Sequence, residues 1–189
     1  MDPTPLREAY RAFLDAARTV AASPTTTVPP PGEWNTDQIL AHVSLVSAAT
    51  ITAVSSTASG GVTTYDNRLA LDTWTLDRVI ALAGGTTGLR ERVRHQAEAL
   101  CALSGPTLSD TELDTPLPAL LLSHDTVLVN GPVPLRTLIT GLTEVELPGH
   151  RAQLLALVAG GERPVDASAA CPGSTHASKY RPDMDKLAG

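Results

Sequence analysis

The sequence predicts an all-α protein: an antiparallel four-helix bundle with a short extended or hairpin excursion before the fourth helix. Three observations predict it. Four segments repeat apolar residues at three- and four-residue spacing. Most connections between them are short, which makes consecutive helices antiparallel neighbours. Strand-like composition is confined to residues 120–129. With 42% hydrophobic and 18% charged side chains, the 189-residue chain has a globular composition. Residues 1–159 read as one helical domain and 160–189 as a polar, loosely attached tail.

The first helix is expected over 6–22, where Leu6, Tyr10, Phe13, Leu14 and Ala17 form one apolar stripe behind Pro3 and Pro5. Ser23-Pro24 ends it, and the proline-rich stretch 25–32 is an extended connector. The second helix runs over about 36–58, with Thr36 or Asn35 placed to cap it. Its middle, 39–54, is uncharged and apolar or small nearly all round, the pattern of a central helix buried on most sides. Gly60-Gly61 stops it. A bent or broken third helix follows to about Leu103, interrupted at Gly84-Gly85 because adjacent glycines cost about 1 kcal/mol each against alanine. Residues 105–118 read as loop, and Asn130-Gly131 as the turn signal of the excursion. The fourth helix begins near Leu135 and ends by Ala159.

Composition narrows the function. The net charge is −6 and aromatics are 3%, so no basic face is available for phosphates and little ring surface for stacking on bases; nucleic acid is not an expected partner. The N-terminus lacks a secretion signal, and no run of about 18 apolar residues is free of polar interruption, so a cytoplasmic protein without a membrane span is expected. Two distant cysteines, Cys101 and Cys171, define no disulfide framework. The expected partner is a small-molecule substrate, and the apolar helices permit a homodimer.

His42 lies among the apolar residues of the second helix, where a lone histidine is more often a hydrogen-bonded core residue than a ligand. Glu146 and His150 on the fourth helix are spaced i, i+4, which puts a carboxylate and an imidazole on one face, about 5–6 Å apart at Cβ. Two histidines and a carboxylate from facing helices would make a three-ligand metal site with open positions, suited to zinc or to non-haem iron. Ser123-His124-Asp125 has triad residue types, but adjacent side chains diverge; His124 alone is a candidate to line the cleft. Cys171 and His176 lack a second ligand pair for a structural zinc.

Residues 34–42, WNTDQILAH, resemble the W-x-x-x-D-L-x-A-H start of helix two in the DinB-like superfamily, with Gln38 where an acidic residue is usual. Residues 132–155, PVPLRTLITGLTEVELPGHRAQLL, resemble helix four of its mycothiol-dependent branch, typified by maleylpyruvate isomerase, which carries an E-V-x-V-H motif. The resemblance covers about residues 6–159. It implies a four-helix bundle holding a divalent metal, usually zinc, through His42 and best through Glu146 and His150. It also implies a low-molecular-weight thiol such as mycothiol, bound to the metal as thiolate and used by a transferase or isomerase. A bound cation makes that nucleophile at neutral pH. Arg68, Arg136 and Arg151 are candidates by position for holding an acidic substrate. Laid directly on the motif, Glu144 takes the glutamate place and Pro148 the histidine place; His150 serves if the pairing slips by two residues. Pro148 inside the helix costs about 3 kcal/mol unless the helix kinks, and the kink either splays the ligands or shapes the site. The further C-terminal domain of the isomerase-type proteins is not expected in residues 160–189, so a relative acting on another substrate, in specialised metabolism, is expected instead. The alternative is a metal-free bundle that binds a small hydrophobic ligand or catalyses a tailoring step without metal.

Overall fold

The computed structural model describes residues 1–24, 28–29, 32–105, 107–123 and 126–159. Residues 160–189, with Cys171 and His176, lie outside the described residues, as does His124. The chain runs α1 (Thr4–Ala22), α2 (Thr36–Ala58), β1 (Tyr65–Asp66), α3 (Arg68–Leu71), α4 (Thr73–Ala83), α5 (Thr86–Leu103), α6 (Asp110–Leu113), β2 (Pro116–Ser123), β3 (Thr126–Pro134), α7 (Leu135–Gly141), a π-helical turn (Leu142–Glu146) and α8 (Leu147–Ala159). It is mostly helical.

Four long helices pack in a closed ring, α1 on α5, α5 on α2, α2 on α8 and α8 on α1. Tyr10, Phe13, Leu40, Leu89, Leu100 and Leu147 are fully buried between them. Local chemistry explains the start of α2. Asn35 caps it by accepting from the Gln38 N–H, while the Gln38 side chain accepts from the Asn35 N–H, closing a capping box. Gln38 therefore serves the helix end. By length and composition α2 is apolar enough to cross a membrane, yet 61% of its most apolar window is buried in the protein, where it packs against α5, α4 and α8.

The all-α expectation is corrected by a three-stranded mixed sheet, in the order β1-β2-β3. β2 and β3 form the excursion as an antiparallel hairpin, and β1 joins β2 in parallel through Tyr65 and Asp66. The turn also falls elsewhere than expected. Asn130 and Gly131 lie inside β3, paired with Leu120 and Ala119, and the pairing runs on to Ser123 with Thr126. Pro132 and Pro134 are tolerated because β3 is a sheet edge, where a missing N–H breaks no second ladder. The loop expected over 105–118 contains α6, capped by a Ser109–Glu112 capping box.

The third helical segment is broken as expected, but into α3, α4 and α5. Gly84 ends α4 in the left-handed conformation (φ 74°). Gly88, in the first turn of α5, packs so closely that a Cβ there would stand 1.8 Å from the Ala83 carbonyl oxygen. In an open helix Gly→Ala stabilises. Here Gly88→Ala is expected to destabilise by about 2 kcal/mol, read as a melting temperature lowered by roughly 4–8 °C. A raised melting temperature would contradict this packing.

Candidate metal centre

His42, Glu146 and His150 converge. One ligand atom from each lies within 4.8 Å of the others. His42 projects from α2, Glu146 ends the π turn and His150 lies one turn into α8. Glu146 Oε2 is 3.2 Å from His150 Nε2 and 3.6 Å from His42 Nε2. Trp34 packs on both rings, with centroids 4.7 Å from His42 and 6.1 Å from His150. Three donor atoms from two packed helices could hold a metal ion.

Hydrogen bonding sets the proton positions. His42 Nδ1 is 2.8 Å from the Ala70 carbonyl oxygen, which can only accept, so Nδ1 carries the proton and Nε2 presents a lone pair. That Nε2 is buried without a hydrogen-bond partner. His150 Nδ1 lies 2.8 Å from Gln153 Oε1 and its Nε2 3.2 Å from Glu146 Oε2, so with the proton on Nδ1 this ring presents Nε2 in the same way. Lone pairs of both Nε2 atoms then face an acceptor oxygen of Glu146, a donor set a divalent cation satisfies. Burial, reinforced by the neighbouring His150, pushes the His42 pKa below the usual imidazole value, against the pull of Glu146 and the Ala70 carbonyl. Burial opposes charge on Glu146, but the neighbouring rings, His150 first and then His42, outweigh it when their Nε2 atoms carry protons, and hold the carboxyl well below the usual carboxylate range. A neutral imidazole and an ionised carboxylate are the forms that bind metal.

This ionisation has a consequence for the chelator-treated protein. An unfolded histidine takes up its proton near pH 6.5, whereas folded His42 does so only at lower pH. The stabilisation is therefore present above about pH 6.5 and lost as the pH falls toward the folded value, with a slope of at most about 1.4 kcal/mol per pH unit. Urea midpoints should fall between about pH 7.5 and 5, and less steeply in His42→Asn. Equal slopes in the two proteins would count against a buried neutral His42.

The π turn decides the register. In a regular α-helix Pro148 would clash with the carbonyl of Glu144, four residues back. The turn instead pairs the Leu147 N–H with the Leu142 carbonyl, five residues back, immediately before the proline. The helix passes Pro148 without breaking, and Glu146 faces His42. Glu144 is exposed, so Glu146 is the carboxylate of the group.

The three arginines are not brought to this centre. Arg68 is exposed and pairs with Asp66 through its Nε and Nη2. Arg136 is held by Asp110 and Asp114 at 2.9 and 2.8 Å. Arg151 is exposed on α8. Cys101 is buried, and burial pushes its thiol pKa up, so it is not an activated nucleophile.

A pocket with about 520 Å³ of empty space, the open solvent at its mouth included, adjoins the centre. It lies between the hairpin, α2 and the α7–π-turn segment, with Glu146 in its wall. Tyr65 and Asn67 also line it, and sequence reading passed over both. Tyr65 is buried, and burial raises its phenol pKa to about 12. Its only local signal was a strand-forming residue before Asp66-Asn67, too short to read as structure. Comparison with protein-family models, curated proteins and solved structures finds no match.

Proposed function

We propose that the chain is a metal-dependent enzyme of the DinB-like type, its helix ring the four-helix bundle of that superfamily and His42, Glu146 and His150 the ligands of one divalent cation, zinc. The observation that carries the reading is His42 Nε2, a buried lone pair with no hydrogen-bond partner, beside an ionised carboxylate and a second imidazole. A bare core histidine would be expected to satisfy both ring nitrogens. When bound, the cation supplies Lewis acidity and a lowered pKa for a coordinated thiol.

The protein's own groups orient that chemistry. The Ala70 carbonyl and Gln153 fix both rings with Nε2 inward, Trp34 covers them, and Glu146 stays ionised at the pocket edge. The reaction that fits best is transfer or addition of a low-molecular-weight thiol of the mycothiol kind to a small electrophile, with related isomerase or lyase chemistry included. Support for the thiol comes from the sequence resemblance. Support for the metal comes from the site geometry.

Elemental analysis of untagged protein purified without chelator tests this. About one equivalent of zinc, absent from His150→Ala, is expected, together with turnover of electrophiles that requires added thiol. Protein without metal that cannot be reconstituted would overturn the proposal.

A further inference from the structure

The pocket beside Glu146 has a donor inventory that selects the substrate. Asn67 lines it, but its amide is largely committed: one Nδ2 N–H donates to the Leu122 carbonyl and Oδ1 accepts from the Leu122 N–H, each at 2.9 Å, which leaves a single N–H. The Tyr65 hydroxyl is committed as well. Thr50 gives its one proton to the Val46 carbonyl, so the Tyr65 O–H must donate to Thr50 Oγ1, 3.1 Å away. No Lys, Arg or His is among the described lining residues, and Arg68 and Arg136 are tied to carboxylates outside the pocket. Thr137 adds one hydroxyl, and apart from Glu146 the rest of the wall is apolar, with Leu121 and Val129 from the hairpin and Leu138 and Val145 from the helical side.

A carboxylate or phosphate placed in that wall, away from the cation proposed at Glu146, would lose its water and gain no side-chain cation, only the remaining Asn67 N–H and the Thr137 hydroxyl, a penalty that an uncharged apolar group does not meet. Resting on the proposed metal-centre reading, we propose that the substrate carries an uncharged apolar group which lies in this pocket beneath the hairpin, with its reactive end at Glu146. The site thereby discriminates against small dicarboxylates.

The test uses two fluorophores that share one ring system. N-phenyl-1-naphthylamine is neutral, and 8-anilino-1-naphthalenesulfonate adds an anionic group. Both are titrated into the full-length protein as purified, with metal content measured on the same samples. Saturable binding of the neutral probe is expected, at least about tenfold tighter than that of the sulfonate. Val129→Trp and Leu121→Trp, which fill the pocket from the hairpin, should each weaken it by a similar factor with metal content and circular dichroism unchanged. Reloading chelator-treated protein with Co²⁺ should quench the bound probe, and His42→Asn should abolish the quenching. Equal or tighter binding of the sulfonate, binding unaltered in both tryptophan variants, or bound probe that Co²⁺ loaded at the site does not quench would each overturn the inference. A protein that takes up no metal at all fails the metal-centre reading instead, and the metal assay shows that independently of the titration.

Discussion

His42→Asn is expected to strip the proposed metal from the protein and leave it folded. The asparagine Nδ2 can occupy the place of the imidazole Nδ1 and keep the hydrogen bond to the Ala70 carbonyl, now 2.8 Å long, while nothing replaces Nε2. His42→Ala removes both functions at once. It leaves a buried carbonyl unpaired, at about 1–3 kcal/mol, and opens a cavity beside Trp34, so a loss of metal there would be confounded with a loss of structure. Outer-shell partners alone are worth about 10- to 100-fold in metal affinity. Loss of one of three ligands should therefore cost at least about a hundredfold, measured by competition with a chromophoric chelator. Unchanged affinity in His42→Asn would remove His42 from the ligand set.

Deleting Glu144 is expected to have the largest effect on stability. The π turn accommodates one more residue than an α-helix would between two anchored ends. On one side Leu135, Leu138 and Ile139 are buried, and on the other Leu147 and Leu154. Glu144 is exposed, so its removal costs little packing, and it allows the turn to close as α-helix with both ends still seated. Pro148 is then inside a regular helix and meets the carbonyl four residues before it, at about 3 kcal/mol. Adding Pro148→Ala to the deletion should restore most of that loss, because the new residue has the N–H the helix lacks. Urea denaturation of the two single changes and the double change tests this. Additive effects would mean that the π turn does not exist to pass the proline.

The contrast between what could and could not be read from the chain follows the range of the interactions. The extent of α2 was legible because its cap is local, Asn35 and Gln38 closing on each other three residues apart. Glu146 and His150 were legible as a pair for the same reason. Their meeting with His42 depends on α2 packing against α8, which the resemblance implied and spacing alone did not. The sheet was not legible. β1 is two residues long, and its partners Ala119 and Leu120 lie more than fifty positions downstream, so no periodicity marks it. Asn130-Gly131 carries a strong turn signal, but pairing with Ala119 and Leu120 overrides it. Pro148 was visible as an obstacle. Its solution was not, because a π turn arises only when tertiary packing holds both flanking helices in place. The three arginines are candidates by position alone, and carboxylates hold two of them: Asp66 holds Arg68, and Asp110 and Asp114 hold Arg136.

The segment from Tyr65 to Ala70 links the two ends of the site. Its Asn67 side chain clasps the hairpin at Leu122, and its Ala70 carbonyl holds the His42 ring. Six residues thus join the roof of the pocket to the orientation of a candidate metal ligand. The hairpin touches this segment chiefly through Ala119, Leu120 and Leu122, so its outer half can change sequence without disturbing that join. A protein arranged in this way can acquire a new substrate by rewriting the roof while the ligand set stays in register, and the clasp at Asn67 is the boundary between what is exchangeable and what must be kept.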